Sequence, residues 1–126
     1  MIRWALAGFL VAHGLVHIAV WGSSKAAQAQ GTNPSHSWIL GDQHSLVIGL
    51  MVAAVSLFAL AGFGLLFHAG WWGPMTVVAA GVSLLLVVLF PGAILNAWVV
   101  APVTINVGLI AGIVWFSWPT RAAFGG

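Results

Sequence analysis

Only four of 126 residues carry a formal charge: Arg3, Lys25, Asp42 and Arg121. A water-soluble domain devotes about a quarter of its residues to charge, because its surface must be solvated. With 62% hydrophobic residues and 3% charged ones, this chain cannot cover itself for water. Its solvent is expected to be lipid. The length allows one domain, 1–126. Three basic residues against one acid raise the nominal pI but make no basic patch, so nucleic acid is excluded as a partner. The chain has no cysteine, which removes disulfides, iron–sulfur clusters and thiolate metal sites.

The apolar runs set the architecture. Trp4 to about Gly22 is long enough to cross a bilayer, which takes roughly 20 residues. A polar segment, 23–43, is the only long hydrophilic stretch. The next run ends near Phe67, and a turn with Trp71-Trp72 and the breaker Gly73-Pro74 follows. Met75 to Trp118 exceeds one span at a rise of about 1.5 Å per residue, so it folds back, best at Pro91-Gly92 through Asn96. The prediction is an all-α integral membrane four-helix bundle, up-down-up-down, with helices near 3–22, 44–67, 75–91 and 97–118. Pro102 then falls in the first turn or so of the fourth helix, where its missing N–H costs little. A barrel is excluded, since its strands alternate over about 10 residues. Arg3, the first apolar run and Ala27-Gln28-Ala29 superficially resemble a secretory signal. The length of the run favours retention as a span.

Eight tryptophans and no tyrosine fall mostly at the ends of these runs. Trp4, Trp21, Trp71, Trp72, Trp98 and Trp118 are therefore expected as interfacial anchors. Four spans put Arg3 and Arg121 on one side and Lys25 on the other. The positive-inside rule then puts both termini in the cytoplasm. Small residues four apart suggest helix contacts: Gly8 and Ala12, Gly49 and Ala53, Ala79 and Ser83, and Thr104, Gly108 and Gly112. Asn106 lies on the same fourth helix.

His13 and His17 share one face of the first span, and Trp21 continues it. An ionisable residue within a span is a functional candidate by default. The loop-side leaflet also receives His44, Asp42, His36 and Asn96. Three roles are open to the histidines. They bond between helices, to Asn106, Thr104, Ser45 or backbone carbonyls, at about 0.6 kcal/mol each on average. They bind a transition metal through His13, His17 and His44, completed by Asp42 or His36. Or they ligate a haem or chlorophyll, with Gly14 letting a flat ring approach. The zinc-protease spacing would need Glu after the first histidine, where Gly14 stands. Charging either ring at this depth is costly, so both are expected neutral. There is no nucleophile–base–orienter set, and catalysis by this chain alone is poorly supported.

The segments Val11-Ala12-His13-Gly14-Leu15-Val16-His17, Ser37-Trp38-Ile39-Leu40-Gly41-Asp42 and Gly70-Trp71-Trp72 together resemble a group of small four-helix bacterial membrane proteins, common in actinobacteria, whose function is unknown. The resemblance implies four helices, a place in a bacterial cytoplasmic (inner) membrane, and no particular activity. A transporter or channel is disfavoured, because four short helices without intramembrane charge make no path alone. The expected role is a non-catalytic accessory subunit, whose partners are the bilayer and other membrane subunits or a second copy. The alternative is a metal- or haem-binding redox protein built on the histidines.

Overall fold

The computed structural model describes residues 1–22, 33–94 and 99–119. The charges Lys25 and Arg121, the anchor Trp98 and the turn residue Asn96 lie outside the described residues. Within them the chain is an all-α four-helix bundle: α1 (Ile2–Trp21), α2 (His44–Leu66), α3 (Trp72–Leu89) and α4 (Val100–Val114). The first three are long and apolar enough to cross a membrane. The fourth has 15 residues and rises only about 22 Å, short of the roughly 30 Å of bilayer hydrocarbon.

Two helix starts differ from the sequence expectation, and each leaves a proline in the first turn. α3 begins at Trp72 rather than near 75, so Gly73-Pro74 is its first turn and not a breaker. α4 begins at Val100 rather than near 97, with Pro102 in its first turn. The N–H groups of a first turn have no helical partner, so proline is tolerated there. α3 stops at Phe90 before a 3-10 turn, Pro91–Ala93.

The loop before α2 also carries order that hydropathy does not show. Two short antiparallel strands, β1 (His36–Ser37) and β2 (Gly41–Asp42), make a hairpin. Gly41 sits at φ +70°, a left-handed conformation that glycine takes without steric cost. Ser37 Oγ accepts from Ile39 N–H at 3.3 Å and Leu40 N–H at 3.2 Å, closing the turn. Trp38 Nε1–H donates to Val88 O at 2.7 Å. That carbonyl is one of the last of α3 and has no helical partner, so the hairpin is tied to the loop-side end of the bundle.

At the other end, α2 closes with Ala69 N–H donating to Gly64 O at 2.8 Å and His68 N–H to Leu65 O at 3.3 Å. This pattern needs a left-handed residue, and His68 supplies it at φ 57°. His68 accepts a hydrogen bond from Arg3 near the start of α1. The described parts of both termini therefore lie at one end of the bundle and the hairpin at the other, as an up-down-up-down path requires.

α1 packs along α2, α2 along α3, and α3 along α4, while α1 and α4 stay apart. The α1–α2 contact is close because glycine leaves room for it. A Cβ on Gly14 would stand 2.9 Å from Phe58 Cβ, and one on Gly62 would stand 2.8 Å from Val11 Cγ2. Two buried apolar clusters result. Leu10, Phe58 and Leu65 belong to the one nearer the termini, and Val47, Met51 and Leu86 to the one nearer the hairpin.

The expected small-residue faces are largely turned outward. Gly8, Ala12, Thr104 and Gly108 are exposed, and a Cβ on Gly8, Gly49 or Gly108 would meet nothing within 4 Å. Gly112 is half-buried, near Trp118 alone. Only the pair Ala79 and Ser83 is fully buried. Spacing of four puts two residues on one face but does not say which face turns inward.

Candidate functional site

Between the two clusters lies a layer of buried polar side chains. Four-residue spacing on α1 stacks Phe9, His13, His17 and Trp21 into a ladder on one face. Phe9 and His13 stack with ring centroids 5.8 Å apart, His13 meets His17 edge-on at 5.4 Å, and His17 stacks on Trp21 at 5.5 Å. Phe58 of α2 packs against both imidazoles. α3 contributes Ser83 and α4 contributes Asn106, each fully buried.

Hydrogen bonds join all four polar groups. Asn106 Nδ2 lies 2.8 Å from Ser83 Oγ and 2.8 Å from Pro102 O, so both amide hydrogens are donated. Its Oδ1 then accepts from His13 Nε2–H at 3.3 Å. His17 Nδ1–H donates to the carbonyls of His13 and Gly14, at 3.0 and 3.1 Å. Ser83 Oγ, already accepting from Asn106, gives its own hydrogen to His17 Nε2 at 2.7 Å. A carbonyl can only accept, and a hydroxyl has one hydrogen to give. Each imidazole is thus assigned one neutral tautomer: His13 protonated on Nε2, His17 on Nδ1. Every nitrogen of the pair has a partner except His13 Nδ1.

The layer holds three helices in register in a medium that supplies no competing water. Such bonds are worth about 0.6 kcal/mol each on average, and up to about 1.7 kcal/mol. Their cost when unmade is larger, because the groups are then bare in hydrocarbon. The network is also the main tie of α4, in which Asn106 is the one fully buried residue.

The sequence-level candidates divide into three places. His13, His17 and Asn106 come together. Asn106 is a bonding partner across helices as expected, the carbonyls that His17 reaches belong to α1 itself, and Thr104 and Ser45 are exposed and take no part. His36 and Asp42 pair with each other at 2.8 Å on the exposed hairpin, where His36 Nδ1–H donates to the carboxylate across the strands. His44 stands at the start of α2 with its Nδ1 3.2 Å from Ser35 Oγ. Among the described residues no three His, Cys, Asp or Glu side chains gather as a metal set. His17 has both ring nitrogens engaged, and His13 Nδ1 is the one nitrogen of the pair open to a ligand. Gly14 does not make room for a flat ring: its bare face is filled by Phe58 and Val55 of α2.

Ser83 enters the site without a warning at the level of sequence, where its spacing from Ala79 suggested packing alone. Trp21 ends α1, but it is 3% exposed and packed against His17 rather than turned outward. Its Nε1–H has no acceptor among the described residues. Trp4, Trp71 and Trp118 are exposed, and Trp72 is half-buried.

Beside the ladder lies a cavity of about 480 Å³ between α1 and α4. A second, of about 300 Å³, continues toward the terminal end and is lined in part by Thr104, Gly108, Trp72 and Trp118. Phe9 and Ile105 border both. Compared with known proteins, the chain matches no family model, no curated protein and no solved structure.

Proposed function

We propose that this protein is a non-catalytic subunit of a larger membrane assembly, and that it docks a partner's transmembrane helix against the terminal half of α4. The carrying observation is α4 itself. Its described helix is shorter than the bilayer hydrocarbon is thick, it buries one residue fully, and it turns Thr104 and Gly108 outward onto an apolar cleft. In lipid the helix–helix interface is built by close packing, and small residues allow it. The open space around Gly108 fits the backbone of another helix better than it fits the chain's own fold.

The reading places the protein in a bacterial cytoplasmic membrane with both termini in the cytoplasm. Arg3 at the terminal end supports that orientation. The hairpin, with its exposed His36–Asp42 pair, then faces outward from the cell.

Gly108→Leu tests the role. The new side chain meets nothing within the chain, so helicity and melting should hold. Isolation in mild detergent should yield the wild type with a larger membrane protein, and a photoreactive residue at the exposed neighbour Val107 should crosslink to it. Gly108→Leu should lose that partner. A wild-type protein that remains a stable monomer, with no crosslink from position 107, would overturn the reading.

A further inference from the structure

The tip of the hairpin carries three apolar side chains in a row, Trp38, Ile39 and Leu40, and all three are exposed. Apolar surface left in water is unfavourable. The stem beside the tip is polar, with His36 and Asp42 facing each other across the strands.

The position of the hairpin against α3 sets the depth of its tip. The segment leading into β1 rests on the 3-10 turn beyond α3, so closely that a Cβ on Gly92 would stand 2.8 Å from Asn33 O. The tip reaches back from there. Trp38 Nε1–H bonds to the carbonyl of Val88, inside the last turn of α3. The Val88 side chain is itself exposed on the outer surface of the bundle. α3 has 18 residues and rises about 27 Å, close to the roughly 30 Å of hydrocarbon it crosses. Val88 therefore lies at the hydrocarbon boundary, and the hairpin points from beyond the helix end back to that depth.

The backbone of the tip suits such a place, since in lipid a polar backbone group needs a partner within the protein. The N–H groups of Ile39 and Leu40 both donate to Ser37 Oγ, on a side chain that is buried. Leu40 O accepts from Gln43 Nε2 at 3.2 Å.

We propose that the hairpin tip is inserted into the bilayer beside α3. Ile39 and Leu40 lie in the shallow acyl region of the hairpin-side leaflet, with the indole of Trp38 at its boundary. The His36–Asp42 pair, two residues back at about 3.3 Å per residue, stands among the lipid headgroups. The segment 33–43 is then an element of the membrane surface and not a loop free in water. The insertion is independent of docking at Gly108 and of which side the termini face.

The chain has no cysteine, so single nitroxide labels report the depth of the tip in the full chain, in phosphatidylcholine nanodiscs. Labels at Ile39→Cys and Leu40→Cys should collide more with dissolved oxygen than with a water-soluble nickel chelate. A label at Leu85→Cys, an exposed position within α3, is the reference for lipid. A label at His36→Cys should show the opposite order. The two tip variants are separate, so if one loses its helicity by circular dichroism the other decides. In the unaltered chain, phosphatidylcholine with a diazirine on its acyl chain should crosslink to residues 38–40. Tip labels that meet the chelate as freely as the label at position 36 would place the hairpin in water and overturn the proposal. Labels shielded from both oxygen and chelate would mean that a second copy of the chain covers the tip, and would overturn it too. Lipid crosslinks confined to the helices would do the same.

Discussion

The amide nitrogen of Asn106 lies 2.8 Å from the hydroxyl of Ser83, and that hydroxyl lies 2.7 Å from His17 Nε2. Ser83 is therefore both acceptor and donor at the centre of the layer. Ser83→Ala removes one small group and leaves a donor on Asn106 and an acceptor on His17 unmatched. The expected loss is about 1–3 kcal/mol, as for other buried polar groups left without partners. Ser45→Ala, at an exposed position, is the matched control and should be near neutral. Reversible unfolding in detergent, followed by helicity, compares the two. Equal stabilities would mean that the hydroxyl does not join the network.

Glycine substitutions should separate inward from outward faces. Gly14→Ala and Gly62→Ala each place a Cβ under 3.0 Å from an atom of the facing helix. Overpacking of this kind costs about 1–3 kcal/mol. Gly8→Ala meets open space and improves helix propensity, so it should be neutral or stabilising by up to about 1 kcal/mol. Thermal melting of the three variants gives the order. A destabilised Gly8→Ala with an unaffected Gly14→Ala would reverse the assignment of faces on α1.

The number of helices was legible because continuous apolar runs in a nearly uncharged chain permit little else. Their ends were less legible. Pro74 read as part of a breaker, yet a first turn absorbs proline, so α3 starts earlier than expected, while α4 starts later and keeps Pro102 in its first turn as expected. His13, His17 and Asn106 stood out because polar groups are rare in such runs. Ser83 did not, since a serine beside alanines reads equally as a spacer. Facing direction was hidden for a physical reason. Lipid and protein interior are both apolar, so hydropathy does not distinguish the buried Leu10 from the exposed Leu15. The same lack of contrast hid that Trp21 turns inward. The proposed convergence of His36, Asp42 and His44 on the pair rested on leaflet alone, and the hairpin pairs His36 and Asp42 with each other, beside Asn33, away from His13 and His17.

His68 occupies a left-handed position where glycine is usual. A non-glycine residue there stores on the order of 1 kcal/mol of backbone strain. Its bond with Arg3 is exposed, and exposed polar pairs contribute little. His68→Gly should therefore raise stability by about 0.5–1 kcal/mol. A clear loss of stability in thermal melts would show that the Arg3 contact outweighs the strain.

Orientation in the membrane has its own test. A reporter active only in the cytoplasm should be active when fused after Gly126 and inactive when inserted at Gly31. The opposite pattern would invert the bundle and place the hairpin inside the cell.

Asn106 offers the sharpest check on the tautomers of the layer, because asparagine and aspartate have nearly the same shape. Asn106→Asp keeps the acceptor toward His13 but puts a second oxygen against Pro102 O and Ser83 Oγ, where the amide had donated. It also brings a charge into a span, at about 2.5–3.5 kcal/mol on insertion scales. Asn106→Leu removes the network on α4 without adding charge or repulsion. Its cost should be the lost bonds and the groups left bare, about 2–3 kcal/mol. The expected order of stability is wild type, then Asn106→Leu, then Asn106→Asp, read as midpoints of detergent unfolding. With no cysteine in the chain, a single Val103→Cys reports α4 directly, and its maleimide labelling should quicken in the same order. An Asn106→Asp variant more stable than Asn106→Leu would mean that the amide is turned the other way. In that case His13 would accept from Asn106 and carry its hydrogen on Nδ1.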